Sequence, residues 1–170
     1  MNEALLSAFK IVLNKALGAS VANFMYLFSD DIDGIPASFW TGVVDAGGLD
    51  IRFYSDVALT TELLREIAAF DADTKKVQAW VQIPTLDVAA TTEIWCNYGG
   101  STVANSIVMW TDADATAIYH FQSLYVSGEG QPSHDSVGVA DLIVLGNTLQ
   151  TSSGKVGKAF IYDGVNSEQY

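Results

Sequence analysis

The sequence predicts an all-β protein: a β-sandwich of jelly-roll-like character with extra strands toward its C-terminus. Short β-prone runs recur along the chain, separated by clusters of Gly, Asp, Pro or Ser, and many short strands at regular spacing indicate a sandwich or jelly roll. Phe9, Ile11 and Leu13 alternate with Lys10, Val12 and Asn14, the period of two expected of a strand with one buried face. The 170 residues suffice to bury a self-sustaining core. Cys96 is the single cysteine, so no intramolecular disulfide forms and packing must hold the fold.

Taken in order, the first strand covers the alternating residues around Phe9. A helix from Glu3 to Leu17 is its rival, because Leu5, Phe9, Val12 and Leu13 also suit helical spacing. Asn23 to Ser29 places Phe24, Tyr26 and Phe28 on one side and Met25 and Leu27 on the other, a pattern for a strand covered on both faces. Asp30 to Pro36 breaks it. Further strands are expected at Ile51–Tyr54, Val77–Ile83, Thr92–Tyr98, Ile107–Trp110, Ala117–Leu124, Asp141–Leu145 and Ala159–Tyr162. Thr61 to Ala69 is read as a short helix from the spacing of Leu63, Leu64 and Ile67. The weakest join falls near Gly99 to Asn105, which divides the chain into a sandwich domain over 1–105 and further strands over 106–170.

Eight basic residues against twenty acidic ones give a formal net charge of -12, which repels phosphate backbones and anionic membrane surfaces. Neither nucleic acid nor membrane is an expected partner. No apolar run approaches the roughly 20 residues needed to cross a bilayer. Glu3 stands where a signal peptide has its basic region, and Lys10 and Lys15 interrupt the apolar stretch behind it.

Several residue groups carry the letters of a functional site. Asp30-Asp31-Ile32-Asp33-Gly34 offers the dense carboxylates that suit a hard cation, but counting from Asp31 puts Ile35 and Pro36 where an EF-hand needs an oxygen ligand and a glycine. Asp71-Ala72-Asp73 and Asp112-Ala113-Asp114 lack that glycine too, so all three read as solvated turns. Ser133-His134-Asp135 spells a hydrolase triad, yet consecutive side chains diverge where a triad must converge. His120 lies between Tyr119 and Phe121 as a structural histidine, Cys96 reads as a small core residue, and two histidines without a cysteine pair make a zinc site implausible. The expectation is no catalytic residue, no metal and no cofactor. Asp50 and Arg52 flank Ile51 and project to one strand face; they are expected to form a buried ion pair, with each other or with Glu66 or Arg65, that holds the sandwich in register. Trp40, Trp80, Trp95 and Trp110 are expected in the core in preference to an exposed sugar-stacking surface.

Two resemblances add to this reading. Phe39-Trp40, Gly47-Gly48-Leu49-Asp50-Ile51-Arg52-Phe53, Glu66 with Phe70-Asp71, Trp80-Val81-Gln82-Ile83-Pro84 and Ile94-Trp95-Cys96-Asn97-Tyr98-Gly99 fall in the order of a bacterial and phage domain of unknown function. That family was first annotated beside MotA/TolQ/ExbB-type proteins, and the resemblance covers roughly residues 8 to 105. Ser153-Gly154-Lys155-Val156-Gly157-Lys158-Ala159, leading into Phe160-Ile161-Tyr162-Asp163-Gly164-Val165-Asn166, resembles the opening of a laminin-G or concanavalin-like lectin sandwich. Where this chain has Asn97-Tyr98-Gly99-Gly100, the first family usually has Tyr-Tyr-Gly-Asn, and most of the lectin sandwich would follow Tyr170.

The resemblances imply a non-enzymatic virion protein of a bacteriophage, a head-decoration or tail-associated subunit. Its expected partners are other copies of itself and capsid or tail proteins. The alternative is a carbohydrate-binding module of a surface adhesin or phage fibre, located at an extracellular surface. With the lectin sandwich incomplete, Ala159, Phe160, Ile161 and Tyr162 are expected to form an assembly strand that adds to the first domain or to a neighbouring subunit.

Overall fold

A computed structural model describes residues 7–14, 16, 18–30 and 34–110, together with the strand segments 132–133, 142–146, 149–151, 159–161 and 167–169. The chain divides into two compact units, Met1–Ser106 and Ile107–Tyr170.

The first unit is an all-β sandwich of two antiparallel three-stranded sheets. One sheet sets β6 (Thr92–Tyr98) between β1 (Ser7–Leu13) and β3 (Arg52–Tyr54). In the other, β5 (Lys76–Leu86) lies between β2 (Val21–Ser29) and β4 (Arg65–Asp71). Register builds the core directly. Phe9, Cys96 and Phe53 align across the first sheet, and Phe28, Ala79 and Ile67 across the second. Of these six, all but the half-buried Phe9 are buried, and all belong to one hydrophobic core fed by both sheets.

β1 settles the N-terminal ambiguity. Ile11 and Leu13 are buried while Val12 between them is 52% exposed, so alternation prevails over the helical spacing of Leu5, Phe9 and Val12. The helix expected over Thr61 to Ala69 is corrected in the same way. Leu63, Arg65 and Ile67 are buried and Leu64 is 38% exposed, a period of two that a charged residue at the central inward position disguises. Ile107–Trp110 is a 3-10 turn instead of the expected strand, since an apolar run of four residues has no periodicity to separate the two.

Two irregularities shape the second sheet. In β2, Asn23 takes φ of 50° and drops out of the ladder at the position opposite Pro84, a residue with no N–H to donate. In β4 the register shifts between Ile67 and Ala69, leaving Ala68 as the extra residue of a bulge.

A single-turn helix, α1 (Ala37–Gly42), follows Pro36 and inserts Phe39, which is fully buried. Its ring meets those of Phe9, Phe28, Trp40, Phe70 and Tyr98 at centroid distances of 5.0–6.2 Å, mostly edge to face, the favoured geometry for aromatic pairs. The turn after α1 needs a glycine. Gly48 sits at φ +73°, and a Cβ there would lie 2.9 Å from Phe70 Cβ. Gly48→Ala should therefore cost about 2–3 kcal/mol, combining backbone strain with overpacking. The unfolding midpoint in urea reads this directly.

In the second unit, β8 (Leu142–Gly146) pairs antiparallel with β7 (Pro132–Ser133) and β11 (Ser167–Gln169). A separate antiparallel pair joins β9 (Leu149–Thr151) to β10 (Ala159–Ile161).

Candidate functional site

The chemistry of the first unit concentrates where the loops leave the sheets. Asp50 is fully buried in the turn before β3. Its carboxylate accepts hydrogen bonds from the backbone N–H groups of Val44 at 2.8 Å, Asp45 at 3.2 Å and Gly99 at 3.1 Å. One side chain thereby ties the loop after α1 to the end of β6. Gly99 stands at φ +81° with Gly42 O 2.9 Å from where its Cβ would be, so the approach to Asp50 admits only glycine.

Arg65, 3% exposed, points inward from β4. Its Nε donates to Ile51 O at 2.9 Å, Nη2 to Leu49 O at 2.9 Å and Val103 O at 2.6 Å, and Nη1 to Asn105 Oδ1 at 2.8 Å. The planar guanidinium suits this work, because its donors are fixed in a fork and its charge persists when buried. Burial pulls its pKa below the ordinary value, while the charges of Glu62 and Asp50 act in the opposite direction.

Asn105 extends the node. Its Oδ1 also accepts from Ile67 N at 2.8 Å, and its Nδ2 donates to Ile67 O at 3.2 Å. The carboxamide thus occupies the place of a strand residue on the outer edge of β4. Ser106 N donates to Arg65 O and Val103 N to Leu49 O, both at 3.0 Å.

Expected to pair with each other or with Glu66 or Arg65, Asp50 is held by backbone N–H groups and Arg52 by Glu62. Arg52 lies on the outer side of its sheet and forms a bidentate pair with Glu62, its guanidinium 5.6 Å from the Tyr54 ring centroid. Tyr54, Trp95 and Lys10 form one register row on that face, and Lys10 pairs with Glu93 at 2.9 Å. Arg65, expected only as an alternative ion-pair partner and placed in a stretch read as helix, is the inward residue of a strand, signalled by an arginine in phase with Leu63 and Ile67; the node residue sequence reasoning missed is Asn105.

The acidic clusters behave as turns where they are described. Asp71 Oδ1 accepts from the N–H groups of Asp73 and Thr74, and Asp56 binds Thr60 and Thr61 in the same manner. Asp30 accepts from Lys76 Nζ at 2.8 Å and Val77 N at 3.0 Å. Among the described residues no group of three or more His, Cys, Asp or Glu side chains is placed to hold a metal. Asp31, Asp33, Asp112, Asp114, His120, His134 and Asp135 lie outside the described residues. Cys96 is fully buried in the core.

These turns carry a pH dependence. Burial alone raises Asp30, but the hydrogen bonds from Lys76 and the Val77 N–H outweigh it and bring its pKa below 3.8; the Thr74 N–H does the same for Asp71 and the Thr60 N–H for Asp56. A depressed carboxylate stabilises the fold above its unfolded pKa and loses that contribution as pH falls through the folded value. Stability should be flat near neutrality and decline below about pH 4. Asp30→Asn should lose about 0.2–1 kcal/mol at pH 7 and show a shallower acid decline, as read from melting curves between pH 7 and 2.

Residues 47–125 match the model of a domain of unknown function, DUF2341. The matched stretch contains Asp50, Arg65, Gly99 and Asn105, while Val44 and Asp45, which donate to Asp50, precede it. β1, β2 and α1 precede it, although β1 and β2 complete the two sheets. No curated protein and no solved structure matches the chain.

Ala159, Phe160 and Ile161 form β10, in register with Thr151, Gln150 and Leu149 of β9. Tyr162 lies outside the described residues.

Proposed function

We propose that the chain is a non-enzymatic interaction module, and more specifically a structural subunit of a phage particle, at the head surface or the tail, that works through contacts with other copies of itself and with virion proteins. The observation that carries the non-enzymatic reading is the use made of the two buried charges among the described residues of the first unit. Asp50 directs both carboxylate oxygens at loop N–H groups, and Arg65 directs its fork at three carbonyls and an amide. A general acid, base or oxyanion donor needs such a group aimed at substrate. Here they are aimed at the backbone.

The virion reading draws on the ordered motifs from Phe39-Trp40 to Gly99, and the lectin-like stretch around Ala159 to Asn166 supports a place at a surface. Mass spectrometry of purified particles, with cross-linking to identify neighbours, tests it. The chain should be present in fixed stoichiometry and cross-linked to capsid or tail proteins; its absence from particles produced in cells that express it overturns the reading.

A carbohydrate-binding role is favoured by one feature, the partly exposed Trp95, which stands in one register row with the buried Tyr54 and is flanked by the Arg52–Glu62 and Lys10–Glu93 pairs. Aromatic rings beside fixed donors and acceptors suit an uncharged sugar ring. Glycan-array binding that Trp95→Ala abolishes would establish this role over the first.

A further inference from the structure

We infer that residues 99–106 form a latch, a strap that closes the outer edge of β4 and opens separately from the sandwich, turning that edge into an acceptor for an extended peptide strand. This goes beyond the proposed function and holds for either reading of it.

β4 is an edge strand of its sheet, and such an edge presents unpaired N–H and C=O groups to any passing strand. The strap covers it, but not as a regular strand would. One backbone hydrogen bond joins it to β4, from Ser106 N to Arg65 O. At Ile67 the Asn105 carboxamide replaces the backbone in both directions. The remaining anchors run from Arg65 to Val103 O and Asn105 Oδ1, from Val103 N to Leu49 O, and, at the fixed end of the strap, from Gly99 N to Asp50.

The seat is also incompletely filled. A cleft of about 280 Å³ lies between segments 62–65 and 103–106, and Leu64 and Val103, which line it, are 38% and 39% exposed. A segment held by polar anchors with few buried apolar contacts belongs to the low-stability end of a fold. The strap should therefore detach at a lower cost than the central strands. A peptide strand that supplied the same carboxamide with a continuous backbone ladder would fit the vacated edge.

Amide hydrogen exchange on the full chain tests both halves. In Asn105→Ala, the amides of Ile67 and Ser106 should exchange about 10- to 100-fold faster, the loss expected when buried polar groups lose their partners, while those of Val81 and Ile94 in β5 and β6 change far less. A synthetic peptide of residues 101–107, added in large excess, should slow Ile67 again. Unchanged protection at Ile67 and Ser106, or acceleration shared equally with Val81 and Ile94, overturns the latch. Fast exchange that the peptide does not reverse overturns the acceptor. If Asn105→Ala does not fold, native-state exchange of the unaltered chain in low denaturant decides: Val103, Ser106 and Ile67 opening before Val81 and Ile94 supports the latch, and a common opening overturns it.

Discussion

Arg65→Ala should destabilise the first unit by about 3–5 kcal/mol, the usual cost of removing one member of a buried charged network. The substitution removes one donor from each of Ile51 O, Leu49 O, Val103 O and Asn105 Oδ1; Leu49 O keeps Val103 N and Asn105 Oδ1 keeps Ile67 N, while a buried acceptor left with no donor costs about 1–3 kcal/mol before relaxation. It also removes a positive charge that interacts electrostatically with the fully buried Asp50. For a domain of about 100 residues each kcal/mol moves the melting temperature by roughly 4–8 °C, so the variant should melt more than 12 °C lower or fail to fold. Arg65→Lys separates charge from geometry. A lysine keeps the charge but cannot span three carbonyls and a carboxamide on two segments with one ammonium, so most of the loss should remain. Urea unfolding followed by circular dichroism measures both, and a loss under 1 kcal/mol for the alanine variant would mean the guanidinium is not bonded as described.

Asp50→Ala should have an effect of similar size, about 3–5 kcal/mol, through a different set of loops. Three backbone N–H groups, those of Val44, Asp45 and Gly99, lose their acceptor, and Arg65 loses a compensating charge. Asp50→Asn retains an acceptor oxygen but replaces the other with a donor that faces N–H groups, so it should fall between the alanine variant and the parent. Because Asp50 holds Gly99 at the end of β6 and Val44 after α1, chemical-shift changes should centre on those two loops and spare β2. Changes spread evenly over both sheets would show that Asp50 acts on the whole core instead.

The sandwich was legible where alternation is carried by apolar residues. Phe9, Ile11 and Leu13 declare β1, and Val77, Ala79, Val81 and Ile83, all buried, declare β5. It was illegible where the inward position is charged. Arg65 stands in phase with Leu63 and Ile67, and because a charge is normally read as solvent-facing the stretch looks like a helix face. The α1 turn escaped as well, since six residues hold too little periodicity to detect, although its Phe39 is central to the aromatic core.

The same limit governed the polar node. Asp50 and Arg52 share a parity in the sequence, and parity suggested a buried pair, with each other or with Glu66 or Arg65. Asp50, however, precedes the strand in a turn, where its side chain is directed by the N–H groups around it, and Arg52 finds Glu62 ten residues on. Hydrogen bonds from side chain to backbone leave almost no mark in a sequence, because the partner can be any residue. Asn105 is the extreme case, with a side chain standing in for a strand.

The central claim is that the buried polar side chains of the first unit are committed to one another and to its backbone. A double-mutant cycle on Arg65 and Asn105 tests it most directly, using Arg65→Met and Asn105→Leu to remove each group while retaining bulk. Linked by the 2.8 Å bond and by the shared strap, the two should show a coupling energy of about 1–3 kcal/mol in equilibrium unfolding. Additivity to within about 0.5 kcal/mol would contradict the account.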